Sequence, residues 1–170
     1  AATPDDREVF ERLEALLTRA ERWFTLVEVY EEAISAASDA RRKVELLGRG
    51  ARLQETHLRD VGRAVDAYRA ILDIDPTDAS AVVELDRLYR AQSQWYELTE
   101  LSWAQIARAT ADPGQAATQI ALRMQLAEVL ETKLQDLPGA IEQYETVLRL
   151  PGGAAQALPP LERLVIHEEH

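Results

Sequence analysis

The sequence predicts an all-α fold built from stacked antiparallel helical hairpins. Three observations lead to this prediction: apolar residues recur at three- and four-residue steps, long internal repeats are present, and glycine and proline are scarce. Seven Gly and seven Pro among 170 residues supply few of the turns that an all-β fold requires. A hydrophobic content of 46% is enough to build a core, so a disordered chain is not expected.

Internal repetition at two nearly equal offsets is the strongest signal. The shorter offset, 72 positions, takes Trp23 to Trp95 within similar segments. The longer offset, 76 positions, takes the segment 64–68, Ala-Val-Asp-Ala-Tyr, to the similar segment 140–144, Ala-Ile-Glu-Gln-Tyr. Each period is long enough for two hairpins. The second helices of the four hairpins are predicted to begin at Trp23, Val61, Trp95 and Leu137.

Amphipathic periodicity and capping residues together predict nine helices. The predicted N-caps are Thr3, Asp60, Asp78 and Asp136. The helices are expected at about 4–20, 23–37, 39–59, 61–74, 79–93, 95–110, 115–135, 137–150 and 155–168. The steps between successive second helices are unequal, and the longer ones add about one turn to a first helix or to its connection.

The hairpins are predicted to form a single domain over residues 1–170. They cover about 4–38, 39–77, 78–112 and 113–153, and an extra helix covers 154–170. Both ends align with interior junctions of the repeat: 3–6 with 75–78, and 157–164 with the start of the third hairpin. We therefore expect an excerpt of a longer array. The alternative is that the last helix caps the final hairpin.

One segment resembles a known repeat family. Ala64-x-x-x-Tyr68-x-x-Ile71-Leu72-x-Ile74-x-Pro76 is similar to the second helix of a tetratricopeptide repeat, in which a small residue, an aromatic and a closing proline recur at this spacing. The segments 140–150 and 30–34 are further copies. The resemblance implies an α-solenoid of stacked hairpins with a right-handed superhelix.

Two places depart from the family pattern. Ser102 and Gln105 stand where an aromatic and a small residue are expected in the third hairpin. Gly50-Ala51 is a poor match within the first helix of the second hairpin.

The resemblance also implies a partner-binding groove lined by the first helices. Its positions in this chain are Glu45, Arg52, Glu55, Thr56, Ser80, Val83, Arg87, Arg90, Ala91, Met124, Glu128, Glu131 and Thr132. The charged members predicted to bind a peptide or helix are Arg52, Glu55, Arg87, Arg90, Glu128 and Glu131. Some relatives use a Lys/Asn/Arg clamp for the acidic end of heat-shock chaperones, but the chain has no Asn, so chaperone binding is not expected.

Trp103 is a further candidate partner residue because it breaks the repeat. Trp23 and Trp95 occupy equivalent positions and are expected in the hairpin cores. Trp103 aligns instead with Glu31. It is expected either to pack against the longer following helix or to serve as an exposed anchor for a partner.

Residue types that carry catalysis or hold metals do not form a convincing set in the sequence. The absence of Cys excludes thiol chemistry, disulfides and cysteine metal sites. His167-Glu168-Glu169-His170 lacks the spacing of a zinc-protease helix, and His57 stands alone. Gly48-Arg49-Gly50 lies within helical periodicity, without the strand that precedes a phosphate-binding loop. We expect neither an enzyme, nor a cofactor, nor a metal.

Charge and composition narrow the partner class. A net charge of −11 disfavours nucleic acid and anionic membranes. No apolar run approaches the ~20 residues of a membrane span. Arg greatly outnumbers Lys and Asn is absent, which is typical of a GC-rich bacterium. We expect a cytoplasmic scaffold that binds protein, with the periplasm left open. The alternatives are a self-associating spacer and an accessory domain of a larger enzyme.

Overall fold

The structure, a computed structural model, describes residues 4–168, and their side chains except those at 4–6, 113 and 165–168. Over that range the fold is all-α, as predicted, with nine α-helices and no strand. The helices are α1 (Pro4–Arg19), α2 (Trp23–Ala36), α3 (Ala40–Leu53), α4 (Val61–Ile74), α5 (Ala79–Ala91), α6 (Trp95–Ala111), α7 (Ala116–Val129), α8 (Leu137–Arg149) and α9 (Ala154–Glu168).

Two of the first helices are lengthened by a π turn. Gln54–Leu58 follows α3, and Leu130–Leu134 follows α7 at the longer offset of the repeat. With these turns included, every helix lies close to its expected bounds. The extra turn expected from the long repeat steps therefore lies in the first helix. A short 3₁₀ turn, Pro113–Gln115, lengthens the connection before α7.

Aspartate side chains cap four helices. Asp39, Asp60, Asp78 and Asp136 each accept a hydrogen bond from the backbone N–H three residues further on, at 2.8–3.0 Å. Three of the predicted caps are thus confirmed, and Asp39 is an additional one. The fourth predicted cap, Thr3, lies outside the described residues.

The ends of α1 and α5 show the same turn, at the shorter offset of the repeat. Glu21 and Ser93 adopt left-handed conformations, with φ of 53° and 56°. After each of them the next backbone N–H donates to the carbonyl five residues back at 2.9 Å, which is a Schellman ending. Both offsets found in the sequence therefore reappear as repeated backbone geometry.

The helices divide into two compact units, residues 1–88 (unit 1) and 89–170 (unit 2), with the boundary inside α5. Within each unit, consecutive helices pack against each other: α1 to α4 in unit 1 and α6 to α9 in unit 2. Short connections make these neighbours antiparallel. A core of unit 1 contains Phe10, Leu26, Val27, Tyr30, Leu46 and Leu53. A core of unit 2 contains Ile106, Leu126, Ala127, Leu130, Ala140, Tyr144 and Leu164.

None of the helices in the described part of the chain is both long enough and apolar enough to cross a bilayer.

Candidate functional site

The first helices of unit 1 present one surface, formed by α3 with its π turn and by the part of α5 that belongs to this unit; we call it the first-helix face. Arg87 on α5 donates to Glu55 on the π turn at 2.6 Å, and also pairs with Glu84 at 2.8 Å. These two carboxylate hydrogen bonds raise the pKa of Arg87 above its ordinary value. Two predicted partner-binding residues, Glu55 and Arg87, are therefore brought together and bind each other.

Tyr68 on α4 is buried, and charged residues of this face act on its hydroxyl. Its pKa is raised, first by burial and then by the negative charges of Glu84 and Glu55. The positive charges of Arg52 and Arg87 act in the opposite direction. Four charged residues of α3, the π turn and α5 thus act electrostatically on one buried tyrosine.

The same pair recurs in unit 2. Arg163 on α9 donates to Glu131 on the second π turn at 2.6 Å. Each of these residues lies at the longer offset from its counterpart in the Glu55–Arg87 pair. Glu131 also accepts a hydrogen bond from the Tyr144 hydroxyl at 3.0 Å. Burial, followed by this hydrogen bond, raises the pKa of Tyr144. Glu131 is thus a bridging residue between the helices of unit 2.

Other predicted residues of the first helices remain exposed. Arg52 donates a hydrogen bond from Nε to the carbonyl oxygen of Gly48, one turn earlier on α3, at 3.2 Å. Val83 on α5 is 64% exposed and supplies an apolar patch on the first-helix face. Arg90 and Glu128 are exposed as well, on α5 and α7 respectively, and both belong to unit 2.

Two threonines predicted to face a partner make equivalent hydrogen bonds within their own helices. Thr56 donates to the carbonyl of Arg52, and Thr132 donates to the carbonyl of Glu128, both at 2.7 Å. The hydroxyl hydrogens are therefore already used inside the helix. What these positions offer a partner is the acceptor lone pairs of the hydroxyl oxygens.

The tryptophans at equivalent positions pack under the π turns. The Trp23 ring stacks on His57, with centroids 3.7 Å apart. In unit 2, Nζ of Lys133 lies 5.3 Å from the Trp95 ring centroid, and Lys133 occupies the position equivalent to His57 at the longer offset. His57 is exposed and stacks on an aromatic ring of its own unit.

Trp103 belongs to α6, a second helix, and is 44% exposed. It is therefore an exposed aromatic side chain on a second helix of unit 2.

A half-buried polar network that sequence reasoning did not find joins α1, α2 and α3. Glu14 accepts hydrogen bonds from the Tyr30 hydroxyl and from Arg49. Burial, followed by the Glu14 hydrogen bond, raises the pKa of Tyr30. The shorter offset gave no signal for this network, because it places Ser102 at the position equivalent to Tyr30.

A cleft of about 270 Å³ lies between α2, α3 and α4 of unit 1. Its apolar lining includes Val27, Tyr30, Ile34, Leu47, Gly50 and Ala67. Sequence reasoning missed this cleft. The poor match at Gly50 to the family pattern was the signal that could have indicated it.

Among the residues that the structure describes, no group of three or more His, Asp or Glu side chains is placed to hold a metal ion. The histidines at 167 and 170 considered in the sequence lie outside the described side chains.

A comparison of the sequence with protein-family models finds no match. A comparison with curated proteins finds none either.

Proposed function

We propose that this chain is a tetratricopeptide-like interaction scaffold that binds a peptide or helix of a partner protein on the first-helix face. The observation that carries the proposal is the Glu55–Arg87 contact of 2.6 Å between the first helices of neighbouring hairpins. It joins α5 to the π turn that follows α3, and we infer that exposed side chains of both helices line one surface. Such a surface can contact a peptide or an amphipathic helix along its length.

The chemistry of the face suggests the kind of partner. Arg52 is exposed on α3, and Val83 adds an exposed apolar side chain on α5. An acidic segment with an apolar side chain would complement this arrangement. The positive charge of Arg52 is a feature of this face alone, since the chain as a whole carries a net charge of −11.

The test is an affinity capture from source lysate with the wild-type chain and an Arg52→Glu, Val83→Asp variant. Neither change touches the Glu55–Arg87 pair, so the helices should stay in place. Arg149→Glu is the control, because Arg149 lies on a second helix with its side chain 73% exposed. We expect a partner that the wild type and the control retain and the double variant loses, with unchanged helical circular dichroism. Equal retention by all three proteins would contradict the proposed site.

A second candidate function, self-association, is favoured by a stripe on α1. Val9 and Leu16 are 64% and 65% exposed, and Leu13 between them is 38% exposed. The equivalent residues of α5, at the shorter offset, are 0–2% exposed. The α1 stripe therefore has the chemistry of a helix face that the repeat buries elsewhere, and a second copy could cover it.

Sedimentation equilibrium over a concentration series tests this candidate. Leu16→Glu should abolish any dimer that uses the stripe. Phe24→Glu, at a residue that is 78% exposed on α2, should not. A monomer at every concentration would rule out the candidate.

A further inference from the structure

The cleft of unit 1 lies between α2, α3 and α4, and its lining includes none of Arg52, Glu55, Val83 and Arg87 of the first-helix face. It is open because two of its lining residues are small: Gly50 on α3 and Ala67 on α4. Tyr30 and Ile34 form its wall on α2. The cleft therefore offers an apolar surface that the described side chains of unit 1 leave open.

Unit 2 shows that the cleft is not a necessary result of packing hairpins. At the positions equivalent to Gly50 and Ala67, at the longer offset, stand Leu126 and Gln143, each 1% exposed. Arg123, which is equivalent to Leu47, donates to Gln143 at 2.6 Å. Unit 2 thus buries larger side chains at these positions, with Ser102 at the position equivalent to Tyr30, whereas unit 1 carries small ones.

The mouth of the cleft is negatively charged. Arg63 pairs with Glu31 at 3.2 Å and with Asp60 at 3.8 Å. Asp66 also lines the cleft, so its charged lining holds two carboxylates and one guanidinium. Exposed Glu32 lies next to Glu31 on α2. A positively charged group would be attracted to this mouth.

The size of the cleft indicates what enters it. A volume of about 270 Å³ is just below the ~300–1,000 Å³ of pockets that enclose a small-molecule ligand. It is more suitable for one anchor side chain of a larger partner. We propose that this cleft binds a single large apolar side chain of a partner protein segment in which lysine or arginine flanks that side chain.

This site is distinct from the proposed first-helix face. The two surfaces use different faces and prefer opposite charges, so each can fail its test independently of the other.

The test uses substitutions copied from the protein's own repeat. Gly50→Leu introduces the residue found at Leu126 and fills the cleft. A Cβ at Gly50 would lie 4.0 Å from Cγ of Tyr30, which is an ordinary contact, so the first carbon of the new side chain fits beside Tyr30.

Ala67→Gln introduces the residue found at Gln143 and fills the cleft from α4. It replaces Gly50→Leu in the test if that variant does not fold. Gly48→Ala is the matched control on α3. Its Cβ would meet Ile71 and Arg52 at 3.8 and 3.9 Å, and Gly48 does not line the cleft.

The probe is a capped peptide with a central phenylalanine between two pairs of lysines, titrated while methyl NMR signals of Val27, Ile34 and Leu47 are followed. We expect these signals to shift with a Kd of about 1 mM or tighter. The affinity should fall at least ~10-fold in either filled variant, since the anchor is then excluded. Gly48→Ala should bind like the wild type.

Charge is tested with a second peptide and a second variant. Replacing the lysines of the peptide by glutamates should weaken binding several-fold, and so should the Glu31→Gln, Asp66→Asn variant with the lysine peptide. The proposal is overturned if the wild type shows no shift at millimolar peptide, if a folded filled variant binds as tightly as the wild type, or if the glutamate peptide binds equally well.

Discussion

Glycine introduced at the left-handed helix ends should stabilise the chain. Glu21, Arg59, Ser93 and Gln135 have φ between 53° and 57°, and all four side chains are exposed. For a residue with a Cβ this conformation costs about 1–2 kcal/mol, and glycine adopts it without that cost. Glycine also increases the conformational entropy of the unfolded chain, which lowers the stability of the fold by about 0.5–1 kcal/mol. The net increase in the free energy of unfolding is therefore about 0.5–1 kcal/mol per site.

The sites form two matched pairs, one in each unit. Glu21→Gly with Arg59→Gly changes unit 1, and Ser93→Gly with Gln135→Gly changes unit 2. Each pair should raise the free energy of unfolding by about 1–2 kcal/mol, because separate sites add. Urea unfolding followed by circular dichroism measures the change.

The control is a glycine in the middle of a helix. Glu100 is exposed on α6, and Glu100→Gly should lower the stability by about 1 kcal/mol. If the four helix-end substitutions destabilise the chain as much as Glu100→Gly does, the left-handed endings are wrong and so is the repeat geometry built on them.

Three further predictions concern unit 2. Glu131→Ala should lower the free energy of unfolding by about 1–3 kcal/mol, because the buried Tyr144 hydroxyl loses its acceptor. Urea unfolding should show a much smaller decrease for Glu128→Ala, at an exposed position. Equal decreases for the two variants would contradict the bridging role of Glu131. The pKa of Tyr144 is higher in the folded state than in the unfolded chain, where it is about 10. The stability that this difference contributes is therefore present below pH ~10 and is lost as the pH rises further. Tyr144→Phe should therefore make the alkaline loss of stability shallower by up to about 1.4 kcal/mol per pH unit in a urea–pH series, and an unchanged slope would count against the raised pKa. Gly153→Ala should lower the free energy of unfolding by about 3 kcal/mol and so lower the thermal midpoint, because the new Cβ would collide with the Val147 carbonyl oxygen. An unchanged midpoint would refute that close approach.

Helix positions were predictable because their signals are local. Asp60 and Asp136 mark helix starts by the hydrogen bonds that their side chains make to nearby backbone amides. The π turns were not predictable, since Gln54 and Leu130 fit ordinary helical periodicity. Left-handed ends were missed for a similar reason: Arg59 and the other residues there are not the glycine or asparagine that usually indicates such an end.

The candidate surface was only partly predictable. The family resemblance pointed to Glu55 and Arg87 on the first helices. It could not show that they bind each other, because this depends on how closely two helices from different hairpins approach. The cleft depends on side-chain volume at Gly50 and Ala67, which a hydrophobic pattern does not report.

The proposed scaffold function is tested most directly by photo-cross-linking to the captured partner. A cross-linking amino acid at Val83, 64% exposed on the first-helix face, is compared with one at Tyr96, 73% exposed at the start of a second helix. We predict a strong cross-link from position 83 that Arg52→Glu reduces, and little from position 96. Cross-links from position 96 with none from position 83 would show that the partner binds elsewhere.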